Sequence, residues 1–200
     1  MGRGRLEAFS DGVLAIIITI MVLELKTPAQ HSLAALHALW PTFVGYALSF
    51  VYVGIYWNNH HHLVHALRRI NGQIMWANLH LLFWLSLFPF MTAWAGQSGF
   101  AAGPMALYGA VLFLAGMAYQ LLQRCILASE GCDSVLARAV GRDGKGVVSQ
   151  ILYLLGICLA WYWPWASGLL YSVVALIWLV PDRRIARALA RADLSDQAGK

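Results

Sequence analysis

Apolar stretches of membrane-spanning length recur along this chain, and the basic residues fall in alternate gaps between them. Only 12% of the residues are charged and 60% are hydrophobic, whereas soluble domains carry about 25% charged residues. The apolar runs lie at about residues 5–25, 40–62, 74–94, 105–127, 147–161 and 166–180. Most approach the roughly 20 residues that a helix needs to cross a bilayer. In lipid, a single segment satisfies its own backbone only as a helix. Of the 14 Lys and Arg, all but Lys26 fall on one side: Arg3 and Arg5, then Arg68 and Arg69, then Arg124, Arg138, Arg142 and Lys145, and the rest from Arg183 onward. That is the positive-inside pattern. The sequence therefore predicts an all-α inner-membrane protein of six transmembrane helices with both termini cytoplasmic, since adding or dropping a span scrambles the charge pattern. Residues 1–185 form one membrane domain in this reading, and 186–200 a basic cytoplasmic tail whose charges are the solvated end of the last helix.

The same placement argues against a nucleic-acid partner. The net charge is +5, but it flanks the spans instead of forming one basic face. Cys125, Cys132 and Cys158 show no Cys-x-x-Cys spacing, so buried apolar cysteine is expected and neither a disulfide frame nor a zinc knuckle is. Arg3 and Arg5 ahead of a short apolar core resemble a secretory signal, but Glu7 and Asp11 are wrong for one, and Thr27-Pro28-Ala29-Gln30 offers no small-residue cleavage site.

Polar residues inside a span carry the functional interest, because they are costly in lipid unless paired or facing water. The first span opens with Arg5, Ser10 and Asp11. At about 100° per residue, Gly12, Ile16, Thr19, Ile20, Leu23 and Thr27 lie within roughly 60° of one line, with Asp11 about 140° away. Arranged around an axis, such a stripe makes a hydrophobic constriction of the kind that gates by dewetting. The competing reading is that the stripe packs against another helix of the same chain. Asn78 and His80 lie inside the third span. They are either ordinary interhelical contacts or partners of Ser10 or Asp11, and both readings place them in the bundle interior.

Two further patterns invite function and are set aside. Thr42-Phe43-Val44-Gly45-Tyr46 resembles a carbonyl selectivity filter, but it lacks the closing glycine and sits in an apolar span, so ordinary helix is expected. His60, His61, His62 and His65 form one cluster. His61 and His65 could share a metal across one helical turn, but a second set of ligands is missing, and neither a metal nor a cofactor is expected.

Arg5-x-x-x-Phe9-Ser10-Asp11 on the first of six spans resembles the signature of the transmembrane protein 175 family of potassium channels. Ala8 through Val13, Leu23-Glu24-Leu25-Lys26, Tyr56-Trp57-x-x-His60-His61, Ile70-Asn71 and Asn78-Leu79 are similar to its bacterial members. The resemblance implies a six-helix subunit whose first helix lines a pore, assembled as a homotetramer. It also implies that Ile16 is the aliphatic gate, Thr19 the hydroxyl implicated in selectivity and Leu23 the next ring outward, with Ile20 on the same face. Arg5, Phe9, Ser10 and Asp11 would form a structural network with the second and third spans, joined by Asn78 and His80. Animal members carry two such repeats, and no second Phe-Ser-Asp occurs here, so several copies would close one pore.

The expected function is thus a potassium-preferring leak channel with K⁺ and membrane lipid as partners and no catalysis. A secondary transporter is the alternative, lowered because no broken helices or internal repeats are visible in the sequence. A membrane enzyme using His60 to His65 ranks below both, for want of partner motifs.

Overall fold

A computed structural model describes residues 2–28, 31–65, 67, 70–130 and 144–179. Among the described residues every regular element is helical: α1 (Arg3–Leu23), α2 (Leu33–His37), α3 (Trp40–His65), α4 (Gly72–Ser86), α5 (Phe88–Gln97), α6 (Ala102–Glu130), α7 (Gly144–Ala160) and α8 (Pro164–Leu179). The turn at Arg68 and Arg69, the segment with Cys132, Arg138 and Arg142, and the tail 186–200 lie outside the described residues.

Among the described residues, three helical stretches are long and apolar enough to cross a membrane: Arg3–Leu23, Gly72–Gln97 and Ala102–Ser129. At about 1.5 Å per residue, α1 with its 21 residues is roughly 31 Å long, matching a hydrocarbon core of roughly 30 Å. The helices α7 and α8 are shorter and also apolar.

The stretch expected as the third span is not one uniform helix. It kinks at Leu87, between α4 and α5, with Pro89 in the first turn of α5. Proline has no N–H to give and crowds the preceding turn, so the Leu87 N–H bonds back to Trp84 O, three residues earlier, at 3.3 Å. The stretch is therefore kinked at Leu87, whose backbone stays in the right-handed helical region and whose carbonyl accepts from Met91 N at 3.0 Å; no such kink was expected from the sequence. Asn71 starts α4 by accepting from Ile74 N at 2.9 Å, the ordinary cap that satisfies an orphan donor.

The core lies between α3, α4, α5, α6 and α8, with α1 laid against α3, α4 and α5 and α7 against α6 and α8. Its centre is a belt of buried tyrosines. The Tyr52 hydroxyl donates to Tyr171 O at 2.6 Å, that of Tyr171 to Met105 O at 3.2 Å, and Tyr108 shares a 2.8 Å bond with Ser49. Buried hydroxyls need such partners. Gly109 and Gly156 make room for the belt, since a Cβ on either would overlap the Tyr171 side chain. Cys125 is half-buried and Cys158 exposed, which corrects the expectation that the cysteines are buried. A lipid-facing surface is as apolar as a core, so an apolar residue gains little by turning inward.

Candidate functional site

One end of the bundle gathers the start of α1, the end of α3 and the start of α4. Along α1, Leu6, Ser10, Leu14, Ile17 and Met21 are buried, the three-and-four spacing of a helix with a single packed face. Ser10 is the polar member of that face. Its hydroxyl donates to Leu6 O at 2.9 Å, so its lone pairs are free to accept, and Asn78 Nδ2 donates to it at 3.0 Å. Asn78 Oδ1 lies 2.7 Å from His60 Nε2. An amide oxygen only accepts, so the imidazole carries its proton on Nε2. Ser10, Asn78 and His60 are all buried, and together they tie α1, α4 and α3. His60 Nδ1 is buried and has no partner among the described residues.

Beside this buried chain runs a more exposed ladder between α1 and α3. Arg3 Nη1 donates to His65 O at 3.0 Å, Glu7 Oε1 meets His61 Nδ1 at 2.7 Å, and Trp57 Nε1 donates to Asp11 Oδ1 at 3.1 Å. Each rung is four residues from the next on both helices, so the helices run antiparallel and present one turn to one turn. The Arg3 cation also sits at the carboxyl end of α3, the favourable end of that helix dipole.

Across α1 from its packed face lies the stripe. Ile16 is 58% exposed, Ile20 42% and Leu23 79%. Thr19 is exposed as well, and its hydroxyl donates to Ile16 O at 2.8 Å. Gly12 and Phe9 lie on the same open side. Among the described residues the stripe is thus largely open, and none of its members belongs to the packed face of α1.

The expected network is met only in part. Ser10 and Asn78 are brought together, and Asp11 is held by Trp57 in place of either of them. His80 corrects the expectation of an interior residue: it is exposed and accepts from Trp84 Nε1 at 2.9 Å, one turn along its own helix. Helix periodicity explains this, since a residue two positions after the buried Asn78 faces about 200° away. Arg5 is exposed, and no hydrogen bond holds its side chain among the described residues. Phe9 is exposed too. Sequence reasoning missed Arg3, Glu7, Trp57 and the pairing of His60 and His61. The available signal was the four-residue spacing of Arg3, Glu7 and Asp11 matched by that of Trp57, His61 and His65. Thr42 to Tyr46 lie within the continuous helix α3.

The family model described as endosomal/lysosomal potassium channel TMEM175 matches residues 5–89, the segment that holds the buried chain and every rung of the ladder except Arg3. A protein of Chryseobacterium sp. (strain P1-3) named as a potassium channel is 53% identical over 94% of this chain and 98% of its own length. A human protein named endosomal/lysosomal proton channel TMEM175 is 34% identical over 52% of this chain and 23% of its own. Among solved structures, a lysosomal potassium-selective channel TMEM175 homolog from Chamaesiphon minutus superposes with a TM-score of 0.79 at 27% identity, covering 90% of this chain and 97% of that one. On the strength of the near full-length match at one identity in two, and of the family model lying on the residues that fasten α1, this chain belongs to the TMEM175 family.

Proposed function

We propose that this chain is the subunit of a potassium-preferring cation leak channel in the bacterial inner membrane, with six spans and cytoplasmic termini. Four copies set α1 around one axis, and Ile16, Ile20 and Leu23 form the hydrophobic constriction. The observation that carries this reading is the division of α1 into two faces. One is fastened by Ser10, Asp11 and Glu7 to α3 and α4, and the other, with Ile16 and Leu23, is left open. An apolar face beside a polar anchor suits a helix held at a fixed rotation toward an axis. The names of the relatives support potassium as the ion, and nothing in the reading requires an enzyme. Thr19 supplies the sign of the charge. Its proton is engaged by Ile16 O, so its oxygen presents lone pairs outward, which suits a cation losing part of its hydration shell.

A secondary transporter is the alternative, but the kink at Leu87 keeps a helical backbone and is not the unwound segment that surrounds a transporter's substrate. Purified protein in liposomes separates the two, with K⁺, Na⁺ and H⁺ flux measured in turn. A channel passes K⁺ down its gradient with no coupled solute and without saturating like a carrier. Saturable, solute-coupled uptake refutes the channel.

A further inference from the structure

We propose that the end of a membrane-lipid acyl chain occupies a cavity between α3, α5, α6 and α8, at the end of the bundle opposite the Ser10 network. The cavity measures about 150 Å³, and an apolar cavity of roughly that size in another protein stays dry and takes up benzene. Leu48, Ala95, Phe100, Met105, Trp165 and Leu169 are among its apolar lining, and no charged residue lines it.

Water is a poor occupant, because a buried water needs two to four polar partners. The hydroxyl donors at the wall are already committed within the protein. Thr92 lies 2.6 Å from both Ser49 Oγ and Phe88 O, Tyr108 shares its bond with Ser49, and Ser172 donates to Gly168 O at 2.9 Å. Another cavity in the bundle contrasts with this one. It measures about 40 Å³ and is edged by the amides of Asn59, Gln120 and Gln150, room for a water or two and no more.

The mouth of the cavity beside Leu48 identifies the source of its occupant. Val44 and Leu169 line it and are also exposed on the outside of the bundle. That outer surface faces hydrocarbon in a membrane-spanning chain, so a lipid tail can enter sideways while its headgroup stays at the interface. Phe100 closes one wall from a left-handed backbone, with φ at 63°, a conformation costly for a bulky residue. Its ring is held there against Trp40 and Trp165, at centroid distances of 6.0 and 5.2 Å.

The proposal rests on the chain spanning a membrane and not on the pore, so its test is read without ion flux. The wild type and Leu48→Phe are purified with palmitoyl-oleoyl phosphatidylglycerol and progressively delipidated. Native mass spectrometry then counts phospholipids per chain. The wild type keeps one phospholipid that Leu48→Phe loses, with retention weakened about tenfold, while loosely held surface lipids cancel in the comparison. Gly45→Ala is the gentler second variant, since its Cβ meets Thr92 and Phe100 at ordinary distances of 3.7 to 3.9 Å. It serves if Leu48→Phe does not fold. Equal lipid counts in the wild type and the filled variants overturn the proposal. A higher melting temperature in the filled variants with unchanged lipid also overturns it, because the cavity is then empty. Stabilisation of the wild type by added benzene without any difference in retained lipid assigns the site to small apolar molecules and overturns the acyl chain.

Discussion

Asn78 on α4 donates to Ser10 on α1 at 3.0 Å, and both side chains are buried. This bond fixes the rotation of α1. Ser10 can face Asn78 only when Ile16 and Leu23 are turned away from the bundle, because the two sets lie on opposite sides of one helix. Ser10→Ala leaves the Asn78 N–H buried without an acceptor, at a cost of about 1–3 kcal/mol. A double-mutant cycle with Asn78→Ala, followed by unfolding in detergent, is expected to show a coupling of about 0.5–3 kcal/mol. Additive effects would mean that the bond does not act as described.

Asp11→Ala removes the rung that accepts from Trp57, whereas Thr19→Ala removes only a bond within α1. Asp11→Ala should therefore lower the yield of intact oligomer more than Thr19→Ala does. Size-exclusion profiles of the two variants, normalised to expression, decide it. Equal yields would show that the rung does not brace the assembly.

Assembly itself is open to direct measurement. An α1 with one open face cannot enclose a pore alone, so native mass spectrometry is expected to give four chains. A stable monomer or dimer that still conducts ions sinks the symmetric pore.

The gate prediction gains from Ile16 being 58% exposed in the single chain. An asparagine placed there does not bury an unsatisfied amide in the subunit core, so Ile16→Asn should fold. By wetting an apolar neck it should raise K⁺ flux severalfold per folded oligomer. Thr19→Val removes the outward oxygen and should reduce the K⁺/Na⁺ flux ratio severalfold while leaving assembly intact. If both variants fold and neither flux nor selectivity changes, this face does not line the pore.

Gly156→Ala tests the packing of the tyrosine belt. The added Cβ overlaps the Tyr171 ring, and overpacking of this kind costs about 1–3 kcal/mol. Denaturant unfolding should register it. Glycine at position 12 has open space around it, so Gly12→Ala is the control and should leave subunit stability unchanged or slightly raised, as alanine favours a helix.

The sequence by itself determined the helical class, the order of the apolar segments and the two-faced character of α1. Lipid permits few alternatives to a helix, and periodicity assigns residues to faces once the helix is granted. That was enough to set Ile16, Thr19, Ile20 and Leu23 on one line and to single out Ser10 and Asn78. Tertiary structure alone decided which polar groups meet. His80 and Asn78 are equally conspicuous inside an apolar run, yet Asn78 reaches Ser10 and His60 while His80 turns to Trp84. The difference lies in the rotation and depth at which α4 crosses α1, and the periodicity of a single helix carries neither. The ladder from Arg3 to His65, Glu7 to His61 and Asp11 to Trp57 was hidden for the same reason, since its spacing shows on each helix but its register belongs to the pair.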